Sequence, residues 1–467
     1  MNSIVPDANP RLSVSLLPVL TLIISLFIAI RYLDVSPHIP IILASVVAGL
    51  ISLKLGHSWK RMQDSIVKGI SLALPSILIL MAIGMLIGVW VASGIVPLLI
   101  DYGLQLLSPS YFLVAACLIC AAISLATGSS WSTIGTVGVA LIGAGQGLDV
   151  PLPMVAGAVV SGSYFGDKLS PLSETTNLAP AVVGADLFEH IKHMLYTTIP
   201  SMLIALALYL VLGLQRGAQT GDLEKVEELS AALNAQFSLT PLLLIAPVVS
   251  IVLIALKMPA LPAILCGAFG GGLCGMLLQD MSLAQVMASM LDGYVSNTGI
   301  DRVDELLSRG GMSSMDYTIS LIICSMAFGG LMEGAGFLKS IAQSLLDVAR
   351  RSGRLVASTL ATCIGMNIIA PDQYLSIIMP GRMYKSAFEE AKLAPKNLSR
   401  CLEDAGTLTS PLIPWNTCGV FVFGALLVDP FAYLPFAFLN LINPLLSALY
   451  GCTGWTLASA DDESGEA

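Results

Sequence analysis

Charged side chains are scarce in this sequence: Asp, Glu, Lys and Arg make up 11% of it, against roughly 25% in an average soluble domain. With 55% hydrophobic residues and a mean hydropathy of +0.83, that scarcity excludes an ordinary soluble enzyme. Basic residues are fewer than acidic ones, 22 against 31, for a net charge of −9, which excludes a nucleic-acid partner because phosphate binding needs a basic surface. The chain lacks G-x-x-x-x-G-K-[ST], H-E-x-x-H and G-x-S-x-G, so nothing points to an ATP-driven pump, a zinc protease or a hydrolase. Its nine cysteines are too few and too embedded in apolar runs for a disulfide framework. Cys117 and Cys120 form a C-x-x-C inside LVAACLICAAIS, where they read as packing residues rather than redox or metal groups.

What the sequence has instead is apolar runs, among them 12–33, 37–55, 71–96, 194–214 and 259–279, long enough to cross a bilayer as helices. The first reads as a transmembrane helix rather than a signal peptide, since it passes into a second span without an evident cleavage site. Lys54, Lys60, Arg61 and Lys68 in one short loop, and Arg350, Arg351 and Arg354 in another, place both loops and the N-terminus in the cytoplasm. Residues 215–238 read as an amphipathic connector with a solvated charged face, and Asp461, Asp462, Glu463 and Glu466 as an acidic, solvated tail. The connector divides two copies of one pattern. PIILASVVAG (40–49) matches PAILCGAFGG (262–271), GVWVASG (88–94) matches GLMEGAG (330–336), and GDKLSPL (166–172) matches GTLTSPL (406–412), in the same order. The expected organisation is a first transmembrane repeat (1–214), the connector (215–238), an inverted second repeat (239–455) and the tail (456–467).

Four polar interruptions break the apolar runs. Within hydrocarbon such breaks survive only where protein or water satisfies the freed backbone groups, so they mark the candidate site. TGSSWSTIGT (127–136) and IGMNIIAPDQY (364–374) lie between arms too short to span and read as re-entrant hairpin tips; GDKLSPLSETTN (166–177) and DAGTLTSPLIPWNT (404–417) read as broken helices. Ser129, Ser130 and Thr133 supply hydroxyls in the first tip, and Asn367 and Asp372 an amide and a carboxylate in the second. The breaks add Asp167, Ser173, Glu174, Thr175 and Asn177 on one side and Asp404, Thr407, Asn416 and Thr417 on the other. Oxygen ligands of this kind suit a hard cation such as Na⁺. Glu174, Asp372, Asp167 and Asp404 are the leading Na⁺-site carboxylates, because an ionised acid at bilayer depth costs about 2.5–3.5 kcal/mol on insertion scales. Asp167 has Lys168 beside it, and Asp404 has Arg400 and Lys396 near in sequence, as alternative partners. Glu333 in GLMEGAG is either an ion ligand or a water-exposed helix end. Glu189, His190 and His193 in FEHIKHM read as an interfacial loop after the broken helix.

At GDKLSPLSETTNLAP (166–180), PDQYLSIIMPGRM (371–383) and LEDAGTLTSPLIPWNTCG (402–419) the sequence resembles the NhaC-type sodium/proton antiporters, over nearly the whole chain. The resemblance implies an all-α polytopic membrane protein of two inverted repeats with re-entrant hairpins and broken transmembrane helices, moving as an elevator within a homodimer. It also implies a secondary transporter in a bacterial inner membrane, not an enzyme, with no cofactor, expelling Na⁺ in exchange for H⁺. Its partners would be membrane lipid and a small ion or small-molecule substrate. The same resemblance extends to carriers of malate, lactate and amino acids, so an organic substrate facing Ser130, Asn177 and Asn416 is the alternative. Neither tip carries the Ser-Asn-Thr of dicarboxylate carriers.

Overall fold

The computed structural model describes residues 10–33, 35–106, 108–217, 223–256, 258–299, 303–304, 307–346 and 352–460. Among them regular structure is helical, apart from two isolated bridges, Tyr294 with Arg309 and Leu393 with Ser459. That is what a bilayer demands of a chain that cannot close a barrel, since helices satisfy their own backbone groups.

The first half runs α1 (Leu12–Ile28), α2 (His38–Lys54), α3 (Trp59–Ala92), α4 (Ile95–Leu106), α5 (Pro109–Thr127), α6 (Ser130–Thr133), α7 (Val139–Gly147), α8 (Leu152–Leu169), α9 (Glu174–Val183) and α10 (Leu187–Gly217). After the connector helix α11 (Leu223–Gln236), the second half runs α12 (Ile245–Ala255), α13 (Ala260–Leu278), α14 (Leu283–Asp292), α15 (Asp316–Gly334), α16 (Phe337–Leu346), α17 (Ser352–Ile369), α18 (Gln373–Glu390), α19 (Pro395–Cys401), α20 (Thr417–Leu426), α21 (Pro430–Tyr433) and α22 (Phe438–Thr453). Five of the described helices are long and apolar enough to span a membrane, or up to seven spans if each sharply bent helix pair counts as one.

The repeats are visible as matched elements. α3 and α15 each end one residue or so before a left-handed glycine, Gly94 (φ +80°) and Gly336 (φ +76°), that turns the chain into a short helix, α4 or α16. Glycine takes that conformation without the Cβ clash other residues meet. The two long helices run antiparallel: a Cβ on Gly69 would lie 2.9 Å from Gly330 Cα, and one on Gly84 would lie 2.6 Å from Gly311 O. Counterparts that cross head to tail are what inverted repeats produce. Each half then continues as hairpin, interrupted helix and long closing helix: α5–α7, α8–α9 and α10 in the first; α17–α18, α19–α20 and α22 in the second.

The interruptions are narrower than the polar stretches suggest. The first tip turns only at Gly128 and Ser129, and the second at Ala370 to Asp372, so Thr133 and Asn367 are helical. α8 keeps its helix through Asp167 to Leu169 and breaks at Ser170–Ser173. Its counterpart passes through a π-helical stretch, Leu402–Thr407, and a 3₁₀ turn, Ser410–Leu412, before Asn416 caps α20. Helix persists here because α8 is clamped on α5. A Cβ on Gly162 would lie 2.1 Å from Cys117 O, and one on Gly166 would lie 2.4 Å from Ala121 O. Cys117 and Cys120 are free and buried in that contact.

Two expectations change. His190 and His193 are not in a loop: both are buried in the first turns of α10, with His190 Nδ1 2.8 Å from Ser399 Oγ. The connector is more than a linker, since Leu229 and Leu233 are buried and Ser230 Oγ donates to Asp101 Oδ1 on α4 at 2.5 Å. The connector's charged side chains through Glu228, Arg350, Arg351 and the tail acids Asp461, Asp462, Glu463 and Glu466 lie outside the described residues, whereas Ser459 of the tail bridges to Leu393.

Candidate functional site

The first hairpin tip, the break of the first interrupted helix and the second tip meet at a cavity of about 640 Å³. Its polar wall comprises Thr127, Ser129, Ser130, Asp167, Ser173, Glu174, Thr175, Gln373, Tyr374 and Thr417, with Trp131 among them. The rest of the lining is mainly apolar: Leu72, Pro75 and Ile79 of α3, with Ser76 among them, and Ile254, Met258, Pro259 and Ala260 around the junction of α12 and α13. Among the described residues, none of those lining the cavity is Lys, Arg or His.

Local chain geometry explains how these groups arrive there. Ser129 caps α6, its hydroxyl accepting from Ser132 N–H at 3.2 Å, and Ser173 caps α9, accepting from Thr176 N–H at 3.4 Å. The first tip and the first break therefore each lead into a capped helix start at the cavity, a setting that suits carboxylates. Asp167, 6% exposed, accepts from Ser130 Oγ at 2.6 Å and Ser130 N–H at 3.2 Å through Oδ2. Glu174, at the first position of α9, accepts from the Tyr374 hydroxyl, which reaches it from the second tip. The first repeat thus supplies the two acids and the second repeat one of their donors.

The remaining candidates lie outside the cavity. Thr133 donates to Ser129 O at 2.9 Å within its own helix. Asn177 spans the break, its amide donating to Pro171 O and Ser173 O at 2.8 and 2.7 Å. Asn367 donates to Gly406 O and Thr409 Oγ1, and Asn416 donates to Asn367 Oδ1 at 3.1 Å, so these two amides fasten the second tip to the second break. Thr407 is fully buried on the π-helical stretch, where its hydroxyl faces the Glu403 carboxyl rather than the cavity. Asp372 caps α18, Oδ1 accepting from Leu375 N–H at 3.0 Å, and is not part of the cavity wall. Glu333 sits at the end of α15, 3.5 Å from Lys68 Nζ, and does not line the cavity.

Asp404 stands apart in another way. It is fully buried and paired with Lys168, which sequence adjacency had suggested for Asp167. Arg400 Nε is 3.9 Å from its second oxygen and Thr197 Oγ1 3.1 Å from its first. Sequence reasoning missed Trp131, Gln373, Tyr374 and Lys168. The first three had a legible signal: Ser129-Ser130-Trp131 and Asp372-Gln373-Tyr374 occupy equivalent places around the two tips.

Opposed hairpin tips and interrupted helices that present carboxylates to an open cavity within a polytopic helical protein define a secondary transporter. Comparison with known proteins agrees. The chain belongs to the Na⁺/H⁺ antiporter family, which it matches over residues 162–455. It is 39% identical to the Na⁺/H⁺ antiporter NhaC of Alkalihalophilus pseudofirmus, over 90% of this chain and 91% of that one. A malate-2H⁺/Na⁺-lactate antiporter of Bacillus subtilis is 40% identical over 91% and 90% of the two chains. The arginine/ornithine antiporter ArcD of Halobacterium salinarum is 36% identical over 98% and 95%. The protein is accordingly a multi-pass membrane protein of an antiporter family.

Proposed function

We propose that the protein exchanges Na⁺ for H⁺ at the cavity, with Asp167 and Glu174 as the carboxylates that take the cation and with no cofactor or enzymatic step. The observation that carries this reading is that the described residues of the wall include two acids, Asp167 and Glu174, placed side by side with hydroxyl groups, and no basic one. Na⁺ and a proton are alternative partners for a carboxylate oxygen, so a site that holds one or the other and opens to each side in turn exchanges them. The cavity follows the first half of α3, beyond the basic residues Lys60, Arg61 and Lys68, whereas α3 from Leu86 to Ala92 is buried. Basic loops lie on the cytoplasmic side, so this conformation faces inward, and we place the protein in a bacterial inner membrane. The tips and breaks form the moving unit of an elevator within a homodimer; a monomeric mass in both detergent and nanodiscs would argue against the dimer.

A second reading has one observation in its favour. A cavity of about 640 Å³ is far larger than a single ion requires and lies in the range of small-molecule sites, and two relatives are named for organic substrates. An organic acid would need a counter-charge there, and none of the described residues of the wall supplies one. The test is proton flux in liposomes carrying purified protein, read with a pH-sensitive dye and challenged with Na⁺, Li⁺, K⁺, then organic acids and amino acids. Na⁺-triggered flux is expected; flux only with an organic substrate establishes the second reading.

A further inference from the structure

Asp167 and Lys168 are neighbours on the last turn of α8, and their side chains serve different partners. Asp167 enters the cavity. Lys168, 0% exposed, crosses into the second repeat, where its ammonium meets Asp404 and donates to the Asn443 amide oxygen at 3.1 Å, while the Asn443 amide nitrogen donates to Asp404 Oδ1 at 2.8 Å. Four elements converge on that ammonium: α8, the π-helical stretch, α22 and, through Thr197, α10. Glu403, next in sequence to Asp404 and equally buried, faces the Thr407 hydroxyl one turn on and also lies in the field of Lys168. Arg400, the other cation facing Asp404, is held by Thr456, its Nη1 3.0 Å from Thr456 Oγ1.

A buried ammonium needs a carboxylate. Two other acids stand near, Glu403 beside Asp404 and Asp167 beside Lys168 itself, and an ammonium released from Asp404 that swung to Asp167 would neutralise it with an internal cation that never leaves. We propose that Asp404 is the keeper of Lys168: it is a positioning residue that draws the ammonium away from the cavity and leaves Asp167 free for the transported cation. This assigns Asp404 a place in cation selectivity without making it a ligand. It rests on the reading of Asp167 as the Na⁺ group.

The experiment measures the Na⁺ concentration giving half-maximal proton flux in liposomes, normalised to monodisperse protein, for Asp404→Asn, for Lys168→Met with Asp404→Asn, and for Asp167→Asn. In Asp404→Asn the freed ammonium competes with Na⁺, and half-saturation rises at least tenfold. In the double variant the internal competitor is gone, and half-saturation returns to within about threefold of the unmodified protein. A normal half-saturation in Asp404→Asn overturns the proposal, as does a double variant no better than the single one, which would make Asp404 a ligand. Should Asp404→Asn fail to fold, the double variant, which carries neither of the paired charges, decides alone: normal half-saturation supports the proposal and a raised one overturns it. Undiminished exchange in Asp167→Asn would instead remove the reading of the cavity on which this rests.

Discussion

The two hairpin tips are built alike and equipped differently. In each, the first residue after the turn caps a helix: Ser129 on Ser132 N–H at 3.2 Å, Asp372 on Leu375 N–H at 3.0 Å. The next reaches the interrupted helix of its own repeat, Ser130 to Asp167 at 2.6 Å and Gln373 Oε1 to Cys418 Sγ at 3.0 Å. The third crosses to the other repeat: Trp131 stacks on Phe421 with ring centroids 4.2 Å apart and planes at 11°, and Tyr374 donates to Glu174. One crossing contact is apolar and the other polar, and Trp131 and Tyr374 both line the cavity. Inverted repeats would make two equal ends, and the chemistry of these six residues makes one end the acid-bearing, open one.

Asp167→Asn has the largest expected effect, because it removes the acid that only the first tip faces. Na⁺-driven proton flux should fall more than a hundredfold while the protein elutes as folded material. Trp131→Ala comes next. An offset aromatic pair contributes about 0.5–1.5 kcal/mol beyond its burial, so losing it should cut the maximal rate about tenfold and admit a thiol reagent to Cys418 from the outer face. Tyr374→Phe keeps the ring and removes the donor that competes with Na⁺ for Glu174. Exposed polar contacts contribute at most about 1 kcal/mol, so Na⁺ half-saturation should fall two- to fivefold with the maximal rate unchanged. Opposite directions for the two aromatic variants would confirm that the crossings differ in kind.

Much of this was legible in the sequence. The four interruptions and the Gly-x-x-x-Ser-Pro-Leu match revealed the repeats, because in hydrocarbon polar breaks and glycine turns have few uses. Placement within the breaks was not legible. Asp167 and Asp404 look equivalent as isolated acids in apolar sequence, yet one lines the cavity and the other is paired with Lys168. Composition records that a buried acid needs a partner; which of two partners it takes depends on the rotation of α8 against the π-helical stretch, a tertiary fact. For the same reason Asn367 and Asn416 appeared as ligands although their amides are consumed in fastening tip to break. Trp131 and Tyr374 were passed over because polar residues were sought, and an aromatic ring in apolar sequence ordinarily means packing.

The turns themselves give a smaller contrast. Gly128 takes φ +70°, and a Cβ there would lie 2.7 Å from Leu172 C and 2.9 Å from Ser173 N, backbone atoms that cannot swing aside. The second tip turns with Pro371, whose carbonyl accepts from Thr417 N–H at 3.0 Å. Gly128→Ala should therefore slow exchange several-fold and lower stability by about 1–3 kcal/mol, whereas Pro371→Ala keeps that carbonyl and should change either by less.

The smallest expected effect is at Asp372, and it bears hardest on whether the tips are counterparts. If its carboxylate matters as a cap, serine does the same work, as Ser129 does in the first tip. Asp372→Ser should then retain flux and Na⁺ half-saturation, while Asp372→Ala loses the cap and about 1 kcal/mol of stability, read as a lower unfolding temperature in detergent with half-saturation unmoved. Abolished flux in Asp372→Ser with an unchanged unfolding temperature would mean that its carboxylate meets the cation in some other conformation of the cycle. The acids would then be shared between the repeats, and the open end would owe its character to the conformation rather than to the residues.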